Sequence, residues 1–440
     1  MSMRFTAAVL LAASLMTPAA AQKLPLSMKR SVELAIEPDG AVRLELALEA
    51  IRQSEAQKRQ ALAALLPNLD AYMQYDERLV NLRAFGVGFS PFIASFIPPK
   101  AGPFNVFDAR ARVTETLSVA SYRRYQAAKE SVQATRDASD GTRDDVAAQV
   151  ARAYLGALRA QARLEAARAN VQLAEELLTL ANNQKDAGTG TGIDVTRAQV
   201  QLANEQQQIL VVENEVRRAQ LELLRAMDLR LDTGIELTDR LQYHPVEVAG
   251  AAQSVETATQ YRSDWKAQQR QEQSASLNYS AAMWERLPSV SGFGDYGSLG
   301  NGIEGSFPTR LFGVRLTIPI WDGGRIDARR AEASSLLRQT RIRTADLRSR
   351  IELEIRLSQD ALRSADEQVK VAGGGLELAD SELAQAKRRF EAGVTSSIEV
   401  TDAQNRLARA RDNQIAALYQ YEAARLDLGA ALGRIREFIP

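Results

Sequence analysis

One phrase occurs twice in this chain, and the duplication limits its fold more than any other feature. AGTGTGIDVTRAQVQLA at residues 187–203 is followed 205 residues later by AGVTSSIEVTDAQNRLA at 392–408, with nine of 17 positions identical. Further upstream, LPNLDAYMQYD (66–76) resembles LPSVSGFGDYG (287–297). Each half therefore predicts the same order: helix, Leu-Pro, alternating segment, loop, alternating segment, very long helix, glycine turn and helix.

Very long helices are predicted before the two glycine turns. Residues 118–185 contain no proline and are rich in good helix formers, so a helix of about 100 Å is expected there. Residues 322–391 predict its counterpart, with a kink or break at Gly373–Gly375. Shorter helices are expected at 194–229 and 398–432. The heptad spacing of Leu164, Val171 and Leu178 is typical of a coiled-coil seam.

Four segments alternate between apolar and polar residues, which predicts β-strands. The expected strands cover 68–80, 105–117, 288–298 and 311–320. Alternation over about ten residues fits a barrel strand with lipid on one side and water on the other, and it also fits a half-buried sheet. The flanking long helices and a secretory leader favour the barrel. Because a membrane barrel needs about eight strands and cannot leave open edges in lipid, several chains would have to share it.

The composition excludes several classes of protein. Lys and Arg number 55 and Asp and Glu also number 55, so the chain lacks the basic surplus of a nucleic-acid-binding protein. It has no Cys and one His, His244, which removes thiolate catalysis, Cys-based metal sites and most His-based catalytic sets. We therefore expect a protein that is not an enzyme, with no cofactor and no metal.

The first residues predict a secretory signal peptide. Arg4 precedes the apolar run from Phe5 to Met16, and Ala19-Ala20-Ala21 supplies a small-residue cleavage site before Gln22. The predicted organisation is thus a signal peptide at 1–21, a first repeat at 22–230, an equatorial linker at 231–254 and a second repeat at 255–440.

The chain resembles the TolC-like outer membrane efflux protein family. The resemblance is carried by the doubled AGxxxxI[DE]VTxAQxxLA turns, by RRFEAG (388–393), by TIPIWDGGR (317–325), by LPNL (66–69) and by RSDWKA (262–267), where Ser263 replaces the usual Pro. It implies a mostly α fold with a small β part, built from a duplicated helix-hairpin-helix unit. It also implies a homotrimer with a long periplasmic α-helical barrel and a shared 12-stranded transmembrane β-barrel.

The same resemblance implies the function. Family members are passive ducts in the outer membrane of Gram-negative cells, in contact with outer-membrane lipid. They serve tripartite efflux or type I secretion with a periplasmic adaptor (membrane fusion) protein and an inner-membrane pump of the RND or ABC type. Whether this chain exports a drug, a metal or a protein, and with which pump and adaptor, is left open by the sequence. A soluble periplasmic coiled-coil adaptor or spacer is the alternative, although it would have no use for lipid-facing strands.

The resemblance also assigns a site. It makes the doubled turns the tips of the periplasmic tube, with adaptor contacts at Gly188, Thr189, Gly190, Gly393, Val394 and Thr395. Glu399 and Asp402 match the inward-pointing gate acids, which would form a ring of six carboxylates in a trimer. In the first copy, Asp194 stands at the position of Glu399 and Arg197 at that of Asp402, so this pair can neutralise itself. The acidic ring is therefore expected on the second copy.

A local role competes with the gate for two of these acids. Ser396 to Glu399 has the pattern of a capping box, and Thr191 to Asp194 nearly has it. Asp402 lies one turn further into its helix and has no capping duty. Phe390 and Thr395 stand where the family has an aromatic hydroxyl and an Arg, so the closed lock must differ in detail. The apolar stretch 85–104 is expected to top the first hairpin at the outer surface.

Overall fold

A computed structural model of the chain describes residues 24–37, 40–85, 100–246 and 250–440. The expected signal peptide and most of the apolar stretch 85–104 lie outside these residues. Its strands are β1 (Leu24–Leu26), β2 (Asn68–Asn81), β3 (Lys100–Leu117), β4 (Ile235–Leu237), β5 (Ser289–Gly300) and β6 (Ser306–Thr317). Its α-helices are α1 (Met28–Ile36), α2 (Val42–Ala63), α3 (Val119–Asp186), α4 (Gly192–Ala226), α5 (Ala251–Tyr261), α6 (Ser263–Trp284), α7 (Arg325–Glu391) and α8 (Ser397–Ala431).

The described residues form two compact units. The first contains the residues up to Glu45 together with Thr142–Tyr261 and Leu353–Pro440, and the second contains Leu46–Gly141 and Arg262–Glu352. Each unit takes residues from both halves of the duplicated sequence. The division into repeats at 22–230 and 255–440 is a statement about sequence, and it stays a prediction.

The two very long helices are present. Helix α3 has 68 residues and α7 has 67. The break expected at Gly373–Gly375 is wrong, because α7 continues through it. Ile355 and Leu362 before the glycines and Leu383 after them are buried, and this packing on both sides keeps the weak stretch helical. No helix in the described part of the chain is both long and apolar enough to cross a membrane.

Several helix boundaries differ from the sequence-based expectation; α4, for example, ends at Ala226 and not at 229. Helix α7 begins at Arg325 and not at 322, because the Asp322 carboxylate accepts the backbone N–H of Ile326 at 2.9 Å and acts as a cap outside the helix. The helix expected before the second Leu-Pro is divided into α5 and α6. Arg262 separates them with an extended backbone, at φ −60° and ψ 122°.

The heptad seam of α3 is formed by alanines. Leu164, Val171 and Leu178, the expected seam, are only half-buried. The buried residues at seven-residue spacing are Ala160, Ala167, Ala174 and Ala181. Small side chains let neighbouring helices approach closely, so the alanine row and not the leucine row occupies the contact.

In the first unit, a core forms around two short strands. Strand β1 pairs in parallel with β4, so that Leu24 lies opposite Ile235. The buried Tyr154 hydroxyl on α3 donates to the carbonyl oxygen of Leu26 at 2.8 Å, and the N–H of Met28 donates to Asp239 at 2.7 Å. These contacts hold part of the expected linker 231–254 as packed structure.

In the second unit, the four longer strands form one antiparallel sheet with the order β2-β3-β5-β6. The register pairs Leu69 with Val113 and Met73 with Ala109 on one face, and the Leu69 and Met73 side chains are each 74% exposed. On the other face Arg110 donates to Asp108 at 2.6 Å and to Asp295 at 3.2 Å. The predicted alternation is confirmed, with an exposed apolar face and a face of paired charges.

Strand β6, expected at 311–320, covers Ser306–Thr317, so it begins and ends earlier than expected. It stops at Thr317, opposite Ser289, so Ile318 and Ile320 lie beyond it. Proline explains the end of the ladder, because Pro319 has no N–H to donate and Pro288 precedes Ser289 on the partner strand.

The glycines of β5 and β6 are sites of close approach. A Cβ on Gly294 would lie 2.6 Å from the ring of Phe312, and one on Gly313 would lie 2.5 Å from the ring of Phe293. Each ring thus covers a glycine on the neighbouring strand. This cross-strand cover explains how a glycine-rich segment with weak strand propensity pairs along its whole length.

Candidate functional site at the paired helix turns

The two copies of the repeated phrase form two helix turns in the first unit, one between α3 and α4 and one between α7 and α8. Gly188 and Gly393 have φ angles of 75° and 72°, which L-residues with a side chain rarely adopt. The N–H of Thr189 donates to the carbonyl of Gln184 at 3.0 Å, and that of Val394 to Arg389 at 2.9 Å. Both long helices therefore end in the same glycine cap.

The six residues expected at the tips all lie in these turns. Gly188, Thr189, Gly393 and Val394 are exposed, whereas Gly190 and Thr395 are half-buried. Contact with an adaptor remains a prediction for all six.

The two turns are bound to each other. The Gln184 side-chain amide donates to the carbonyl of Phe390 at 2.7 Å, and the Ser397 hydroxyl donates to Asp194. Arg197 donates to the Ser397 hydroxyl at 3.2 Å. Beneath these bonds lies a buried apolar cluster from α3, α7 and α8, formed by Leu177, Ala379, Leu383, Ala386, Phe390, Val400, Ala403 and Leu407. The turns are thus held as one structure, and Phe390 is part of its core.

Asp194 bridges the turns and caps α4. Its Oδ2 accepts the backbone N–H of Thr191 at 3.1 Å, as the capping box predicts, while Oδ1 accepts the Ser397 hydroxyl and lies 3.6 Å from Arg197. The hydrogen bond from Ser397, followed by that from the Thr191 hydroxyl, lowers the pKa of Asp194 below its ordinary value. The gate role of Asp194 stays a prediction, and the contacts that the structure shows join the two turns of its own chain.

Glu399 does not form the expected capping box with Ser396, whose side chain makes no cap hydrogen bond. Its Oε1 accepts from Arg389 at 2.8 Å, and its Oε2 accepts from the Thr395 hydroxyl. A charge-assisted bond to a guanidinium is roughly twice as strong as a neutral one, so Arg389 takes the carboxylate away from the cap. Glu399 links the last turn of α7 to the first turn of α8.

Asp402 has a different environment from the other two acids. It is exposed, and among the residues that the structure describes it makes no hydrogen bond or ion pair. Its counterpart in the first copy, Arg197, is engaged with Asp194 and Ser397. The uncompensated carboxylate therefore belongs to the second copy, although its role as a gate is not tested by these contacts.

Sequence reasoning missed Arg389, Ser397 and Gln184 as members of this site. Arg389 had a signal, because a basic residue in the last turn of a helix complements the helix dipole. Ser397 and Gln184 had none, since their partners lie about 200 residues away in sequence. No group of three or more His, Asp or Glu residues within 24–37, 40–85, 100–246 and 250–440 is placed to hold a metal ion.

Comparisons with known proteins agree on one family. A family model described as "Outer membrane efflux protein" matches residues 106–228 and 254–434. The outer membrane protein OprJ of Pseudomonas aeruginosa is 26% identical over 422 residues, covering 92% of this chain and 84% of its own. The pyoverdine export outer membrane protein OpmQ of Pseudomonas putida is 25% identical over 408 residues, covering 88% and 83%.

A solved structure shows the same fold. The CmeC outer membrane channel of Campylobacter jejuni superimposes with a TM-score of 0.78 at 16% identity, over 93% of this chain and 86% of that one.

Proposed function

Because the chain belongs to the outer membrane efflux protein family, we propose that it is the outer-membrane channel of a tripartite efflux or type I secretion system. It acts as a passive duct and not as an enzyme. Substrate would reach it from an inner-membrane RND or ABC pump through a periplasmic adaptor that contacts the exposed turn residues. The observation that carries the proposal is a sheet whose exposed face is apolar, in a chain that matches this family over most of its length.

The edges of that sheet support a shared barrel. In the order β2-β3-β5-β6, the outermost strands β2 and β6 each pair with one described neighbour. Unpaired N–H and C=O groups in lipid cost several kcal/mol each, so the edges must be covered before the sheet enters a bilayer. We infer that three copies join their edges into one 12-stranded barrel, as the resemblance implies.

The gate is proposed to rest mainly on Asp402. In a homotrimer, three such carboxylates would surround the axis without a compensating cation from their own chain. Glu399 would contribute less negative charge than a free acid, because Arg389 already neutralises it. A ring of this kind attracts cations and repels anions.

Replacement of Asp402 tests the gate. Asp402→Asn should raise single-channel conductance and weaken cation selectivity, because it removes an unpaired carboxylate while preserving side-chain shape. The measurement is conductance and reversal potential in planar bilayers under a salt gradient. Glu399→Gln should weaken cation selectivity less than Asp402→Asn does. The double variant should lose cation selectivity completely.

Asp380→Asn is the matched control. Asp380 is exposed on α7 and, within the described ranges, has no hydrogen-bond or ion-pair partner, yet it lies 11 residues before the end of its helix. Asp380→Asn should leave single-channel conductance and cation selectivity unchanged. If Asp402→Asn behaved like this control, the acidic gate would have to be abandoned.

A further inference from the structure

At the junction of β6 and α7, the second unit exposes a short apolar segment. Ile320 is 96% exposed and Trp321 is 87% exposed. Trp284 at the end of α6 and Tyr122 in the first turns of α3 are also exposed. Large apolar side chains this open to solvent are unusual on a folded protein, and they mark a surface that something covers.

Arginines cluster at the same junction. Glu285 contacts Arg124 and accepts from Arg329 at 3.3 Å, so one carboxylate serves two guanidinium groups. Arg286 pairs with Asp327 at 2.6 Å, and Arg325 lies 3.7 Å from Asp322. We call the set Arg124, Arg286, Arg325, Arg329 and Arg330 the arginine collar.

The collar carries more positive charge than its own acids neutralise. Four of its five arginines contact three carboxylates, those of Glu285, Asp322 and Asp327. Arg330 is exposed and, in the part of the chain that the structure describes, has no hydrogen-bond or ion-pair partner. The β5–β6 turn at the other end of the sheet, residues 301–305, contains Glu304 and no basic residue. That turn therefore has no positive surplus.

The geometry points to a lipid headgroup site, and we propose that the arginine collar binds the phosphate groups of anionic phospholipids in the periplasmic leaflet, with Ile320 and Trp321 inserted at the interface. The exposed row Phe312, Val314 and Leu316 on β6 continues at the same two-residue spacing to Ile318 and Ile320. The collar thus follows directly on the surface assigned to lipid. Tryptophan at the headgroup level and arginine beside anionic lipid are both favourable there.

This inference rests on the proposed function, since it requires the sheet to lie in a bilayer. The test uses the whole protein in detergent, titrated with phosphatidylglycerol or with phosphatidylcholine and followed by native mass spectrometry. Wild-type protein should retain phosphatidylglycerol in preference to phosphatidylcholine. Arg330→Gln should weaken phosphatidylglycerol binding roughly fivefold, because one basic residue near an anionic surface contributes about 1 kcal/mol and 1.4 kcal/mol is tenfold.

Arg343→Gln is the matched control. Arg343 lies on the same helix, is exposed and has no partner among the described residues, but it is 13 residues or about 20 Å further along. Phosphatidylglycerol binding should be unchanged in this variant. Equal loss in both variants, or equal retention of the two lipids by wild-type protein, would overturn the collar.

A second measurement locates the segment. In bilayers containing lipids brominated near the headgroup, Trp321 fluorescence should be quenched, and Trp321→Phe should remove most of the quenched signal. Unquenched Trp321 would show that it lies away from the interface. Wild-type channel conductance in the same bilayers distinguishes failure of the lipid site from failure of the proposed function. Conductance without a preference for phosphatidylglycerol would refute only the arginine collar, whereas absence of conductance would refute the channel.

Discussion

Asp194, Glu399 and Asp402 show how one repeated phrase yields three electrostatic environments. Asp194 accepts hydrogen bonds from both turns, Glu399 is paired with Arg389, and Asp402 has no partner among the described residues. The difference follows from few substitutions, because the first copy has Arg197 where the second has Asp402. At the scale of single residues, the duplication preserves the backbone and changes the charge.

Asp194 gives a pH-dependent prediction. Hydrogen bonds from Ser397 and Thr191 keep its folded-state pKa below the ordinary value of 3.8, so the ionised form stabilises the turns at neutral pH. This contribution is lost as the pH falls below 3.8 and through the folded pKa. Asp194→Asn should therefore reduce the free energy of unfolding at pH 7 by about 1 kcal/mol and lower the thermal midpoint. At pH 3 it should lower the midpoint less. Thermal unfolding followed by circular dichroism measures both.

Asp186→Asn is the control for this experiment. Asp186 is exposed at the C-terminal end of α3, where a negative charge opposes the helix dipole, so its removal should not lower the midpoint. A midpoint for Asp194→Asn that drops equally at pH 7 and pH 3 would mean that ionisation of Asp194 does not stabilise the turns.

At the scale of elements, packing determined which face of a helix is buried where the sequence pattern offered two similar faces. Leucines and alanines both recur at seven-residue spacing in α3, and the alanines occupy the buried seam. In α8 the buried heptad rows are Val400, Leu407, Tyr421 and Leu428 with Ala403, Ala417, Ala424 and Ala431. Large and small residues alternate along this helix, which lets its neighbours interlock closely.

The β5–β6 pair gives a prediction about close approach. Gly294→Val would place side-chain atoms in the space of the Phe312 ring, and overpacking of this kind costs about 1–3 kcal/mol. The variant should show less folded protein in outer-membrane fractions and a lower thermal midpoint. Adding Phe312→Ala should restore part of the loss, because it frees the same space.

Gly292→Val tests whether the effect is specific. Gly292 lies on the same strand and the same face, but nothing would lie within 4 Å of a Cβ there. It should be tolerated far better than Gly294→Val. Equal damage from both changes would point to backbone freedom and not to the Phe312 contact.

At the scale of the whole molecule, the chain is incomplete as a monomer if the proposed barrel is right. In that barrel, the exposed face of the sheet would face lipid and its two edges would pair with strands of other chains. We expect the mature protein to sediment with outer membranes, to require detergent for extraction and to have the mass of three chains by light scattering. Recovery as a water-soluble monomer in an osmotic-shock fraction would favour the periplasmic spacer instead.

The proposed contact of the apolar face with lipid can be tested at one position. Val314 is 78% exposed on the apolar face, and an arginine facing the middle of a bilayer costs about 2–4 kcal/mol. Val314→Arg should therefore reduce the amount of trimer in the outer membrane. Thr116→Arg, an exposed position on the charged face of β3, should be tolerated. The reverse ranking of the two variants would assign the wrong face to lipid.

The sequence by itself determined the features that depend on near neighbours. Helix length followed from the absence of proline, strand faces from period-two alternation, and the two turns from glycines at Gly188 and Gly393, because each depends on residues within about one helical turn or one strand. The helix break predicted at Gly373–Gly375 failed for the converse reason, since burial of distant residues outweighed the local preference of glycine.

Only the tertiary structure decided which side chains meet. Ser397 reaches Asp194 across 203 positions, Gln184 reaches Phe390 across 206, and β1 pairs with β4 more than 200 residues later. The alanine seam and the pairing of Glu399 with Arg389 belong to the same class. Such contacts depend on which helices pack together and in what rotation, and no local pattern encodes that choice.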